Sequence, residues 1–141
     1  MLYTKEMFQI IKSRLAKNGI FVTQSGGSSI ISCQISYTLI ANTLKTVFGQ
    51  DNISSSSIHI PSFSDEWGFH FAFNNSQHST INNYTINEID TLIQQRDLLL
   101  QFYDGITFKN TFHINKVVRN KLQQEDRILT DENVWTIYQE L

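Results

Sequence analysis

Residues 19–27 read G-I-F-V-T-Q-S-G-G, and this stretch decides the fold. Ile20, Phe21 and Val22 form a short apolar run of β-branched and aromatic residues. Asn18-Gly19 stands before it and Ser25-Gly26-Gly27-Ser28 follows. The pattern predicts a buried strand that ends abruptly in a glycine-rich turn. Amphipathic helical patterns lie on both sides. Helix, strand, turn, helix is the order of an open α/β sheet, whose ligands sit beyond the carboxyl ends of the strands. Thr23, Gln24 and Ser25 fall at such an end. Gln24 has two readings there: it points an amide into a substrate crevice, or it satisfies loop backbone.

Towards the N-terminus, Thr4 is an expected N-cap, with Glu6 in the first turn where the helix dipole favours an anion. Met7, Phe8, Ile11 and Leu15 repeat at helical spacing, and Lys12, Arg14 and Lys17 follow. Asn18-Gly19 is the expected stop. A parallel strand needs parallel neighbours, and none is encoded before this one.

In the other direction, Ser28 or Ser29 is expected to cap a second helix running to about Phe48 and closed by Gly49. Cys33, Tyr37, Ile40, Leu44, Val47 and Phe48 would form its apolar face. Gly26-Gly27 offers either an anion cradle or a tight turn, and neither GxGxxG nor a P-loop lysine accompanies it. Asp51, Asn52 and Ser54 to Ser57 read as a polar connection. Ile58, His59 and Ile60 alternate as a short strand ended by Pro61. Trp67, Phe69, Phe71 and Phe73 share one face of the next strand, with Gly68, His70 and Ala72 on the other. These two strands are expected to pair antiparallel at a sheet edge. His59 and His70 would be neighbours in polar packing, since two histidines without a third ligand do not make a metal site. Asn74 to Asn83 reads as a loop, Asn87 as the cap of a short helix, and Asp104-Gly105 as a turn. A further helical stretch covers Asn115 to Leu122, and Val134, Trp135, Ile137 and Tyr138 suggest a packed terminal element.

The chain of 141 residues suits one small domain with a real core. A net charge of -2 with no basic stripe gives no support for nucleic-acid binding. The single Cys33 excludes an internal disulfide and reads as a small core residue rather than a nucleophile. No apolar run approaches the ~20 residues that span a bilayer, and Met1 leads directly into a helix start, so a cytoplasmic location is the expectation.

Several segments together resemble the spermidine synthase (polyamine aminopropyltransferase) family. Residues Leu2 to Phe8 resemble the helix start that follows that family's catalytic loop. Gly19 to Gln24 is similar to its G-I-F/L-V-x-Q strand. Residues Ile60 to Phe69 resemble its I/V-P-S/T-F/Y…W-G/S-F segment, closest to a bacterial spermidine synthase-like branch reading V-P-S-F-G-E-W-G-F. Phe102-Tyr103-Asp104 and Phe108 to Val118 resemble its C-terminal region. The resemblance implies the C-terminal half of a Rossmann-like methyltransferase sheet, with an antiparallel edge hairpin and terminal helices, as a single partial domain over residues 1–141. It implies that the nucleotide motif for decarboxylated S-adenosylmethionine and the catalytic Asp of a D-S/T-x-D-P loop lie upstream. No Asp-Pro pair occurs in these residues, so no catalytic residue is assigned, and no cofactor or metal either.

By motif, Gln24 matches the glutamine that lines the family's amine pocket. Phe63 falls where many members carry a Tyr whose hydroxyl binds the amine, a bond that Phe cannot make. Asp65 and Glu66 either attract a polyamine cation or belong to an exposed hairpin loop, and Trp67 reads as core. Gln24 and Glu66 are expected to line a small pocket with Phe63 as its apolar wall. Two functions follow: an aminopropyltransferase-like chain that supplies the amine-acceptor side and is inactive alone, or a non-enzymatic truncated or split product acting as an interaction module. Expected partners are a polyamine, and an upstream half-chain or a second copy.

Overall fold

The computed structural model describes residues 2–75, 81 and 83–133. Its elements are α1 (Lys5–Arg14), β1 (Ile20–Gly27), α2 (Tyr37–Phe48), β2 (Ile53–Ile60), β3 (Asp65–Phe73), α3 (Ile86–Gln95), α4 (Gly105–Phe112) and α5 (Lys116–Gln124). The expected terminal element at Val134 to Tyr138, and part of the 74–83 loop, lie outside the described residues.

The protein is α/β, with a small three-stranded sheet in the order β1-β3-β2. Both pairings are antiparallel. β1 and β2 therefore run parallel to each other, one on either side of β3. The hairpin of β2 and β3 is as expected. Its second strand, however, is the middle of the sheet rather than the edge, and β1 has β3 along one side only among the described residues.

Residues directly opposite in an antiparallel ladder share a face. Gly68, His70 and Ala72 lie on one face with Phe21, Thr23, Ile53 and Ser55. That inner face carries the packing. Phe8, Leu39, Ile40, Leu44, Phe48, Ala72 and Leu129 form one core cluster, with Phe21 and Ile53 packed against it. The Phe8 and Phe21 rings lie 5.9 Å apart. Tyr37 is fully buried beneath Gly68, where any Cβ would overlap its ring. A second cluster joins Cys33 and Tyr37 to Ile114 and Val118 of the α5 region. On the outer face, α4 covers the β2 side, where Ser54 and Ser56 are buried and Phe112 meets Phe71 at 5.3 Å.

Several local expectations are corrected. The strand at Ile20 to Val22 is not buried: Ile20 and Val22 are 50% and 47% exposed. Only its alternate residue Phe21 reaches the core, so a continuous apolar run here marks a strand with one covered face. The first helix does begin at the Thr4 cap, whose hydroxyl accepts from the Met7 N–H, but it ends at Arg14, four residues before Asn18-Gly19. Gly26 and Gly27 belong to β1 rather than to a turn; the ladder shifts register between Gln24 and Gly27, with Gly26 at φ 81°. The second helix starts at Tyr37, not at Ser28 or Ser29, because residues 28–36 are held in turns by Ser29, Ser32 and Ser36. The serine run is strand: β2 begins at Ile53, its polar side chains tolerated by bonds such as Ser56 to the Phe69 carbonyl. Thr85, not Asn87, caps α3, in a reciprocal capping box with Glu88. Asp104-Gly105 is no free turn, since Asp104 caps α4 and Gly105 begins it.

Candidate functional site

The carboxyl end of β1 and the β2–β3 connection meet at one end of the sheet. Gly27 lies opposite Trp67, the third residue of β3. Between Gln24 and Gly27 the strand carries an irregularity, the kind of bulge that re-aims a side chain. Gln24 reaches Trp67: the indole Nε1–H donates to Gln24 Oε1 at 3.3 Å. Phe63 packs on the same indole, ring centroids 4.3 Å apart. Trp67 is half-buried and Phe63 is 52% exposed, so this Gln24–Trp67–Phe63 group is open to solvent. It lies outside both core clusters, contrary to the core role expected of Trp67.

The two acids have other partners. Asp65 Oδ2 accepts from Ser32 Oγ at 2.6 Å and Asp65 Oδ1 from the Glu66 N–H at 2.8 Å. Partial burial pushes the Asp65 carboxyl upward, but the hydroxyls of Ser32 and Ser29, the Glu66 N–H and nearby His59 outweigh it and hold the group below its ordinary value. Glu66 Oε2 accepts from Ser57 Oγ at 3.3 Å. Glu66 borders a cavity of about 150 Å³ with Ser57, His59, His113 and Asn115. Asp65 and Glu66 both border a shallower one of about 340 Å³ with Ser29, Ile31 and His59. Neither Gln24 nor Phe63 lines either cavity. The structure thus joins Gln24 to Phe63 through Trp67, and places Asp65 and Glu66 in a separate polar setting.

The histidines are not neighbours. His59 lies opposite Glu66, and His70 opposite Ser55. His70 is fully buried and stacked on Tyr37. Its Nε2 faces the Tyr37 carbonyl at 2.8 Å, so Nε2 carries the proton and Nδ1 accepts from Ser55 Oγ at 2.9 Å. Burial lowers its pKa to about 4, with the charge of Lys45 adding to the effect and the Tyr37 carbonyl opposing it. Among the described residues no group of three or more His, Cys, Asp or Glu is placed to hold a metal. Cys33 is fully buried, and burial raises its thiol pKa, so it sits as a packing residue.

Sequence reasoning missed the Trp67 contact, because an indole N–H partner across two strands leaves no mark at fixed spacing. It also missed the partly buried trio of Thr38, Glu125 and Arg127, where Glu125 accepts from Thr38 Oγ1 at 2.6 Å and pairs with Arg127 at 2.8 Å.

These features define an α/β segment whose strands β1 and β2 each pair along one side only among the described residues, with a small polar–aromatic group towards the end of β1. No family model matches the chain. It is 35% identical over 94% of its length to a polyamine aminopropyltransferase of Sulfolobus acidocaldarius, covering 42% of that protein. It is 34% identical over 97% of its length to thermospermine synthase ACAULIS5 of Arabidopsis thaliana, covering 39% of it. A polyamine aminopropyltransferase of Sulfurisphaera tokodaii is 38% identical over 94% of the chain, with 42% of that protein covered. The chain is thus similar to polyamine aminopropyltransferases along nearly its whole length, and it spans about two fifths of the length of the curated relatives it matches. No helix among the described residues is long and apolar enough to cross a membrane.

Proposed function

We propose that this chain is the amine-acceptor portion of an aminopropyltransferase of polyamine biosynthesis. The supporting observation is its similarity to polyamine aminopropyltransferases over 94% of its length. The position of Gln24 in the second half of β1, just before the strand's irregularity, is compatible with that reading. In such a reaction an amine lone pair attacks the methylene beside the sulfonium of decarboxylated S-adenosylmethionine. An N–C bond forms, the C–S bond breaks, and the sulfur leaves as a thioether while a base takes the amine proton. These 141 residues contain no Asp-Pro loop to supply that base. Their share is to bind and orient the diamine, which is where effective concentration is gained. Gln24 Oε1 accepts an amine N–H, Phe63 flanks its methylenes, and ionised Asp65 with Glu66, in their own polar setting, attracts the cation from nearby.

In this reading the sheet is the partial form of a Rossmann-like one, completed along the free edge of β1 by an upstream half-chain that carries the nucleotide site. The 141 residues alone then have no aminopropyl transfer activity. Turnover of decarboxylated S-adenosylmethionine and 1,4-diaminobutane by the purified chain, above a no-protein control, would overturn that point. Titration calorimetry with 1,4-diaminobutane tests the binding role: heat is expected for the native chain and is reduced roughly tenfold in affinity by Gln24→Ala. Equal binding by both would sink the assignment of Gln24.

A second reading is favoured by one observation, an edge of β1 that is unpaired among the described residues, with Ile20 and Val22 exposed beside it. An open apolar edge pairs with another strand, so the chain serves as an interaction module. Light scattering decides: a monodisperse monomer at high concentration argues against it.

A further inference from the structure

We propose that Trp67 is a positioning residue that holds the Gln24 carboxamide with its oxygen presented to an amine ligand. The inference rests on the acceptor-site reading above and deepens it. An indole N–H only donates, so the Gln24 atom facing it at 3.3 Å is the oxygen, whichever way the amide is turned elsewhere. A carbonyl oxygen has two lone pairs. One is taken by the indole, and the other is left, in a fixed direction, for an amine N–H. Without the indole, the amide rotates freely and presents its NH2 group as often as its oxygen. An ammonium group carries donors only, so half of those orientations repel it.

Three features hold Trp67 in place to do this. Phe63 packs on its ring at 4.3 Å. The preceding Glu66 carbonyl accepts from the Ser28 N–H at 2.7 Å, which pins the start of β3 to the chain leaving β1. The register shift between Gln24 and Gly27 lets Gln24 reach an indole that lies nearer Gly27 in the ladder. Trp67 thus acts through Gln24, and its effect on ligand binding exists only while the amide is present.

That dependence gives the test. Diamine affinity is measured with 1,4-diaminobutane for the native chain, Trp67→Phe, Gln24→Leu and the double variant. Trp67→Phe keeps an aromatic ring against Phe63 and removes the donor. It is expected to weaken binding roughly three- to tenfold in the native background and to have no further effect in Gln24→Leu. Equal losses from Trp67→Phe in both backgrounds would overturn the proposal while leaving the acceptor-site reading intact. Absence of diamine binding to the native chain would instead sink that reading. The positioning is then decided without ligand: nuclear Overhauser contacts between the Trp67 Nε1–H and the Gln24 side chain are expected in the native chain. Their absence from a folded native chain would end the proposal even if Trp67→Phe did not fold.

Discussion

The two faces of the sheet differ in a way that residue size alone does not foretell. On β3 the large side chains Phe69, Phe71 and Phe73 point outward, while Gly68, His70 and Ala72 point inward. The inward set is buried at Gly68, His70 and Ala72, whereas of the three outward phenylalanines only Phe73 is buried. Along β1 the outward residues Ile20, Val22 and Gln24 are exposed. The inner face is small because α2 lies close: Tyr37 occupies the space a side chain at position 68 would fill. Close approach of a helix to a strand requires small residues between them. The outer face is half-finished, covered by α4 at the β2 side and open at the β1 side. The inner face therefore carries most of the buried packing, while the outer face keeps exposed side chains along β1.

That contrast breaks most sharply at Phe8, which is fully buried against Phe21 and α2. Phe8→Ala is expected to lose about 3–5 kcal/mol in urea unfolding, enough to unfold a marginal domain. A loss under about 1 kcal/mol would mean that the inner face does not carry the fold.

The buried imidazole sharpens the comparison through pH. His70 has a folded pKa of about 4 against 6.5 when unfolded. Between those values the unfolded chain holds a proton that the folded chain lacks, so stability rises with pH. The stability is fully present above 6.5, is lost as pH falls towards 4, and changes no further below. The total loss is up to about 3 kcal/mol. His70→Gln should flatten this part of the pH–stability curve, and an unchanged slope in that variant would assign it to other groups.

Gly68→Ala probes the close approach itself. The added methyl meets the Tyr37 ring, which must move, at a cost of about 1–3 kcal/mol. Pairing it with Tyr37→Leu should recover part of the loss, and strict additivity would show that the two positions do not compete for space. The smallest effect is expected outside: Val22→Lys should change unfolding free energy by less than about 0.5 kcal/mol while reducing any self-association of the β1 edge. A large destabilisation there would show that the outer face of β1 is already covered.

The sequence alone determined the local events with local causes. The Thr4 cap is a hydroxyl meeting an N–H three residues on. The end of β2 at Pro61 and the alternation of Trp67 to Phe73 need only a proline ring and a period of two. The resemblance carried by Gly19 to Gln24 and Ile60 to Phe69 was also legible, and the similarity to polyamine aminopropyltransferases agrees with it. Tertiary structure decided what depends on which elements meet. Alternation along β3 named two faces but could not say that the small one is buried, since that follows from how closely α2 approaches. Four consecutive serines read as a connection, yet Ser54 and Ser56 are buried strand residues because β3 and α4 supply their surroundings. Gln24 was singled out by its place at a strand end. That its oxygen faces Trp67, and not Glu66, was set by a ladder irregularity and a contact 43 residues apart in the chain. Such pairings are made by packing free energy summed over distant segments, and no short window of sequence holds it.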